Sequence, residues 1–309
     1  MKKFFASIAA VVIALGSAMA QDLAQITEIY NAGAAAIATD KAGALKSFEQ
    51  ALQLAEALGE DGKEVAENCK NVIPDLTLSI AKEFAREKNF DNAINQIKAA
   101  IAVAEKFANV DIVSEAKELL PQIIMQKGNS LVTAKNYADA IAAYKEVLGM
   151  DATNGNAALR LGVALNAMGD AAGATEAFLQ AAANGQEKTA FKQLSNINLK
   201  SAAAALKAKK YADAVAAALK SCEYGESAQA YQIAAQASQL AGKNNDAISY
   251  FEKYLEISPN AKNAGQIAFT IGALYQQAKN NAKAREFYTK ALTDAKYGAE
   301  AQKLLDALK

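Results

Sequence analysis

A spaced pattern of small and large residues recurs seven times along the chain. Each copy has an alanine, an aromatic or aliphatic residue four positions later, and a small or apolar residue three positions after that. The copies begin at Ala44, Ala93, Ala140, Ala174, Ala214, Ala247 and Ala284. Twelve positions before these alanines stand other small residues, namely Ala32, Ala81, Gly128, Gly162, Ala202, Ala235 and Gly272. Recurrence on this scale predicts stacked structural repeats, because one repeat alone cannot bury its apolar face.

The residues between the copies are typical of helices. Apolar residues recur at intervals of three and four, which is the periodicity of a helix face. The hydrophobic share is 52% and owes much to alanine, while long runs of valine and isoleucine are missing. The sequence therefore predicts an all-α protein.

The pattern resembles the tetratricopeptide repeat, a pair of antiparallel helices of about 34 residues. That family has a bulky residue and Gly or Ala on the first helix, then Ala, an aromatic residue and Ala on the second. The closest copy is the fourth, which has Leu161, Gly162, Leu165, Gly169, Asp170, Ala174, Phe178 and Ala181. The resemblance implies an all-α, right-handed superhelical solenoid of about seven antiparallel helix pairs, followed by a C-terminal capping helix.

The repeats also suggest boundaries along the chain. We expect a leader over residues 1–20 and a helical repeat domain over 21–309. Within that domain the expected units cover 22–58, 63–107, 111–149, 154–184, 187–224, 226–258 and 262–295, and the cap covers 298–309.

Gly162 carries a specific structural prediction. A glycine inside a helix costs about 1 kcal/mol relative to alanine, so its presence predicts a helix crossing too close for a larger side chain. Gly169 and Asp170 predict the turn of the same pair, because glycine tolerates the left-handed conformation and aspartate caps the next helix.

Some copies depart from the family period. Spacings between the small residues are 49, 47, 34, 40, 33 and 37, and the first two predict longer helices. Pro74 and Pro121 each predict a helix start or a kink. At Asn31-Ala32-Gly33 the first copy looks shifted by one residue.

Composition excludes several chemistries. The chain has no histidine, which removes the commonest general base and metal ligand and excludes Ser-His-Asp and Cys-His nucleophile systems. Cys69 and Cys222 are too few for a thiolate zinc site, and we expect both to be buried, unpaired thiols. Equal totals of 33 basic and 33 acidic residues give no global field to attract nucleic acid. We expect no catalytic residues, no metal and no cofactor.

The N-terminus has the features of a signal peptide. Lys2 and Lys3 precede an apolar run over 4–16, and Ala18-Met19-Ala20 has the small-x-small form of a cleavage site. The run is shorter than the roughly 20 residues that a membrane span needs. We expect cleavage before Gln21 and export, to the periplasm or, alternatively, out of the cell, with no integral membrane segment in the mature chain.

The resemblance also implies where a partner would bind. In this family the first helices line a concave face, at positions six and three before the small residue and one, four and five after it. These positions carry many amides and a few apolar residues. The expected partner-binding residues are Gln122, Asn129, Asn156, Asn166, Gln229, Gln232, Gln236, Gln239, Gln266, Phe269 and Gln276.

Amide side chains both donate and accept hydrogen bonds, which suits a peptide backbone or a glycan. The alternative is that glutamine here is an ordinary, well-tolerated residue of a helix surface. The leading hypothesis is an exported, non-enzymatic scaffold or adaptor that binds a protein or peptide segment. The alternative is an auxiliary glycan-binding protein of a bacterial envelope. A family group that grips C-terminal carboxylates is not indicated, because Leu78 and Ile29 stand where its lysines would be.

Overall fold

A computed structural model describes residues 18–308. Over this range 84% of the chain is helical and no strand is present, which confirms the all-α prediction. The α-helices are α1 Ala18–Ala36, α2 Lys41–Leu58, α3 Lys63–Arg86, α4 Phe90–Lys106, α5 Val110–Thr133, α6 Tyr137–Met150, α7 Gly155–Met168, α8 Ala171–Ala181, α9 Glu187–Lys207, α10 Tyr211–Glu223, α11 Ala228–Leu240, α12 Asn244–Ile257, α13 Ala264–Gln277, α14 Asn281–Ala291 and α15 Gly298–Ala307.

The helices pack in adjacent pairs within two compact units. The first unit ends at Ala152 and contains the pairs α1–α2, α3–α4 and α5–α6. The second begins at Thr153 and contains α7–α8, α9–α10, α11–α12 and α13–α14, with α15 packed on α14. Residues 1–17 of the expected leader lie outside the described range, and α1 begins at Ala18, three residues before the expected cleavage point.

Seven of the described α-helices begin at a short polar side chain that caps them. Asp170 accepts a hydrogen bond from the backbone N–H of Gly173 at 2.9 Å and so caps α8. Such a cap satisfies one of the backbone donors that a helix start leaves without a partner. The same bond is made by Asp40, Asn109, Asn136, Asn154, Ser227 and Asn280.

The glycines of the pattern lie against rings of their own helix pairs. A Cβ atom added at Gly162 would stand 2.7 Å from Cδ1 of Phe178, closer than packed carbon atoms approach. Gly128 faces Tyr144 at 2.6 Å and Gly272 faces Tyr288 at 2.7 Å in the same way. All three rings are fully buried. The close helix crossing predicted at Gly162 is therefore present, and the same crossing occurs in two further helix pairs.

The first pair has the one-residue shift expected at Asn31-Ala32-Gly33. Ala32 is exposed, whereas Gly33 is buried and its added Cβ would meet Ser47 at 3.0 Å. The reason lies in the connection between α1 and α2. Helix α1 ends at Ala36, three residues after Gly33. The carbonyl of Ala36 accepts hydrogen bonds from the backbone N–H groups of both Thr39 and Asp40. This different turn moves the small position by one residue.

The two prolines do not begin helices. Pro74 lies inside α3 and Pro121 inside α5, and each of these helices has 24 residues. A proline removes one backbone hydrogen bond, and the remaining bonds of so long a helix keep it continuous. The lengths agree with the wide spacing of the first copies, since α7 and α8 have only 14 and 11 residues.

Candidate functional site

The predicted partner-binding residues lie on the first helices of four pairs, and none of them is buried. Gln122 and Asn129 belong to α5 in the first unit, and the other nine lie on α7, α11 and α13 of the second unit. Five are exposed, namely Gln122, Asn156, Gln229, Gln239 and Gln266. Six are half-buried, namely Asn129, Asn166, Gln232, Gln236, Phe269 and Gln276.

Two of these amides have partners inside the protein. The hydroxyl of Tyr144 donates to Oδ1 of Asn129 at 2.9 Å, and the hydroxyl of Tyr288 donates to Oε1 of Gln276 at 2.7 Å. Each ring packs on a pattern glycine and carries its hydroxyl to the edge of the pair, where a buried donor needs an acceptor. Burial also raises the pKa of Tyr288. Asn129 and Gln276 therefore stabilise their own helix pairs.

Phe269 is engaged in packing as well. Its ring centroid lies 5.6 Å from that of Tyr288 and 5.2 Å from that of Tyr297. These are the distances of favourable aromatic pairs. The half-buried Phe269 thus connects α13 with α14 and with the segment leading into α15.

Gln232, Gln236 and Gln239 form a separate group on α11, which we call the amide row. Gln232 and Gln236 are half-buried and Gln239 is exposed. Residues three and four apart project from one helix face, so the three amides follow one another along α11. Within residues 18–308 none of the three makes a side-chain hydrogen bond, so their donors and acceptors are left for water or a ligand.

The first unit contains a concavity whose lining includes none of the predicted partner-binding residues. It lies between α1 and α3 beside the start of α5, has a volume of about 610 Å³, and we call it the α1–α3 groove. One wall is a polar stripe on α3 that consists of Asn68, Asn71, Asp75 and Ser79. These residues follow one another at intervals of three, four and four positions. Apolar contact surface comes from Ile37, Val72, Leu76 and Phe107.

Asp75 is the charged residue at the centre of this stripe. It is half-buried, and burial raises the pKa of its carboxyl group. Asp75 stands six residues before Ala81, which is one of the lining positions defined for the family. The family's lining positions therefore include residue 75. The predicted partner-binding residues do not include Asp75, because they were chosen mainly as amides.

The two cysteines of the chain are free thiols. Cys69 is buried, Cys222 is half-buried rather than buried as expected, and both are unpaired. Burial raises the pKa of Cys69 to about 12, which keeps it as an unreactive thiol. In the described part of the chain no group of three or more Cys, Asp and Glu side chains could hold a metal ion. Over that same range no helix is both long and apolar enough for a bilayer span.

Comparison with known proteins places the repeats in a family. The tetratricopeptide repeat model matches residues 131–197, and a second model of the same repeat matches 228–261 and 265–293. No curated protein matches the sequence.

Several solved structures are similar at low identity. PilF of Pseudomonas aeruginosa is 18% identical over 62% of this chain and 84% of its own, with a TM-score of 0.32. A MamA structure labelled AMB-1 is 23% identical over 61% and 98%, with a TM-score of 0.36. YrrB, described as a tetratricopeptide repeat protein with an unusual peptide-binding site, is 19% identical over 60% and 91%, with a TM-score of 0.33.

The family matches cover helices of both units, and the matched residues include the glycine–ring crossings at Gly162 and Gly272. They support a protein-interaction scaffold. Residues 131–197, 228–261 and 265–293 of this chain are tetratricopeptide repeats, with the paired helices and recurring small residues of that repeat.

Proposed function

We propose that this protein is an exported scaffold that binds a polypeptide segment along the amide-bearing face of its first helices. The observation that carries the proposal is the amide row on α11, whose three side chains make no hydrogen bond within the described chain. Free amides that lie on a partly buried helix face offer both donors and acceptors to a bound chain.

The dimensions of the amide row suit an extended polypeptide. Seven residues of helix separate Gln232 from Gln239, a rise of about 10 Å. An extended chain advances about 3.3 Å per residue, so the row spans about three residues of a bound segment. Each amide can accept a backbone N–H and donate to a backbone C=O of that segment.

A glycan is the alternative ligand, and it would need exposed rings as stacking platforms beside the amides. The rings at the pattern positions are buried, as Tyr144, Phe178 and Tyr288 show. Phe269 is half-buried and packed against two tyrosines. We therefore favour a polypeptide over an oligosaccharide.

Export is part of the proposal and rests on the leader at residues 1–20. Cleavage after Ala20 would release a mature chain that begins at Gln21, in the periplasm of a bacterial cell or beyond it. N-terminal sequencing of protein recovered from the cell envelope tests this directly. Material that retains Met1 would contradict it.

Site-specific crosslinking tests the binding face. A photoreactive amino acid at Gln236, introduced in intact cells, should capture a protein partner, whereas the same probe at the exposed Ser249 of α12 should not. The captured partner then serves as the ligand for a variant with Gln232, Gln236 and Gln239 all replaced by glutamate. We expect at least a tenfold loss of affinity, about 1.4 kcal/mol, because the amide donors are lost.

A matched control replaces the exposed Gln50 and Gln53 of α2 with glutamate and should bind normally. Circular dichroism should show unchanged helicity in both variants. Normal binding by the triple variant would contradict the amide row as the contact. Unfolding of the triple variant would contradict the assignment of these side chains to the solvent face.

A further inference from the structure

The α1–α3 groove has an unbalanced charge. Its charged lining residues are Lys41, Asp75 and Asp111. Lys41 forms an ion pair with Glu83. Within the described chain neither Asp75 nor Asp111 has an ion-pair partner, so the groove presents two uncompensated carboxylates.

The nearest other cation is also engaged. The positive charge of Lys82 lowers the pKa of Asp75. The Nζ atom of Lys82, however, lies 2.7 Å from Oε1 of Glu115. The two lysines around Asp75 are therefore neutralised by glutamates. What remains is a local negative potential inside a partly enclosed concavity, where charges act more strongly than in bulk water.

Two polar groups in the groove lack hydrogen-bond partners. Asp75 receives no hydrogen bond from any described residue, although it is half-buried. Tyr30 is only 3% exposed and lines the same groove, and its hydroxyl makes no hydrogen bond within residues 18–308. Both groups are open to the groove rather than sealed in the interior, so each can accept a hydrogen bond from a ligand that carries donors.

The walls of the groove define the rest of that ligand. Val72, Leu76 and Phe107 offer apolar surface beside Asp75. Lysine and arginine side chains combine an apolar stem with a cationic head, which is the combination that this groove complements. At the edge, Val110 is 76% exposed and extends the apolar surface toward a neighbouring residue of the same ligand.

We propose that the α1–α3 groove binds a lysine or arginine side chain of a polypeptide partner, with its cationic head on Asp75 and its stem against Val72, Leu76 and Phe107. The inference takes from the proposed function only the class of occupant, a polypeptide. It concerns the first unit, whereas the amide row lies in the second.

Selection from a random peptide library tests this inference. Phage-displayed 12-residue peptides are selected on the full-length protein and, separately, on an Asp75→Asn variant, which keeps the side-chain shape and removes the charge. We expect lysine or arginine to be enriched at one position of the peptides from the unmodified protein. That enrichment should be absent with Asp75→Asn.

The leading selected peptide is then synthesised, and its Kd is measured by fluorescence anisotropy. Asp75→Asn should weaken binding at least tenfold, and replacing the peptide's basic residue with glutamine should do the same. The two changes together should weaken binding little more than either alone, because both remove one contact. Asp61→Asn is the matched control, since Asp61 is exposed and outside the groove, and it should leave Kd unchanged.

Selected peptides without a basic residue, or equal binding by Asp75→Asn, would overturn the inference. The triple glutamate variant of the amide row distinguishes the two proposals. It should bind the selected peptide normally if the groove is the site. Loss of binding in that variant, with Asp75→Asn unaffected, would place the peptide on the amide row and overturn the groove alone.

Discussion

The pairs α7–α8 and α9–α10 fill the same repeat positions in different ways. In α7–α8 the ring of Phe178 lies directly on Gly162. In α9–α10 the corresponding residues are Ala202 and Ala218, both fully buried. One crossing thus combines a large aromatic ring with a glycine, and the other combines two small residues. The repeat pattern requires a close approach of two helices but does not prescribe how the contact is filled.

The α9–α10 pair adds a polar contact that α7–α8 lacks at this position. The hydroxyl groups of Ser195 and Ser221 lie 2.8 Å apart, and Ser221 also donates to the carbonyl of Ser195 at 2.9 Å. Ser221 is fully buried and occupies the position that Ala181 has in the neighbouring pair. In α9–α10, directional hydrogen bonds therefore add to the small apolar contact that Ala202 and Ala218 provide.

The turns of the two pairs differ in residue type but share one backbone. Gly169 has φ of 89°, and Lys209 has φ of 60° in the corresponding position. The following residues, Asp170 and Lys210, donate their N–H groups to Leu165 and Ala205 at 3.0 and 2.9 Å. Only Asp170 caps its helix with its side chain. The α9–α10 turn reaches the same geometry without the two residues that favour it.

The largest expected effect is at the glycine–ring crossing. Gly162→Leu should lower the free energy of unfolding by about 3 kcal/mol, the upper end for overpacked cores, because the first added carbon already meets the Phe178 ring. Denaturant unfolding measures it. Adding Phe178→Ala to Gly162→Leu should recover part of the loss, and strictly additive effects would show that the two side chains do not compete for space.

A smaller loss is expected at the serine contact. Ser221→Ala should cost about 1–2 kcal/mol, because two hydrogen bonds are lost in a buried site. Ser238→Ala is the matched control, since Ser238 is 1% exposed and its hydroxyl has no hydrogen-bond partner among the described residues. This second variant should be neutral or slightly more stable. Equal losses in thermal unfolding would mean that the serine contact contributes nothing specific.

The helix cap of α8 should contribute about 1 kcal/mol. Asp170→Ala removes the acceptor for the Gly173 N–H and should lower the unfolding free energy by that amount. Lys210→Ala, at the equivalent position of α10, removes no cap bond and should have an effect near zero. If both substitutions cost the same, side-chain capping does not distinguish the two turns.

A small gain in stability is expected at Lys209. Lys209→Gly should raise the unfolding free energy by about 1 kcal/mol or less, because glycine adopts a left-handed conformation without the penalty of other residues. Gly169→Lys should lower it by a similar amount. A loss of stability in Lys209→Gly would show that the lysine side chain compensates for its backbone conformation.

The sequence predicted the fold through positions that depend on local packing. Gly162, Gly169 and Asp170 each have the role that their residue type indicated, because a close crossing, a left-handed turn and a cap leave a mark on single residues. The one-residue shift at Asn31-Ala32-Gly33 could be seen in the sequence, but its cause could not, because it lies in the backbone hydrogen bonds of the α1–α2 connection rather than in a residue pattern.

The candidate sites were less predictable than the fold. Nothing local to Asn129 shows that a tyrosine hydroxyl fifteen residues later will donate to it. The open carboxylate of Asp75 is equally hidden, because it depends on Lys41 and Lys82 being paired with Glu83 and Glu115. Such features arise from side-chain partners on other helices, which an amide count along one helix does not include.

The bonds from Tyr144 to Asn129 and from Tyr288 to Gln276 also provide an intrinsic spectroscopic signal. The chain has eleven tyrosines and no tryptophan, so tyrosine dominates its near-ultraviolet absorption and emission. A ligand that replaces the tyrosine hydroxyl as the partner of Asn129 or Gln276 breaks that hydrogen bond. The electronic environment of the tyrosine ring then changes. Occupancy of either helix pair can then be read as a tyrosine difference spectrum, without a label and without a tryptophan background.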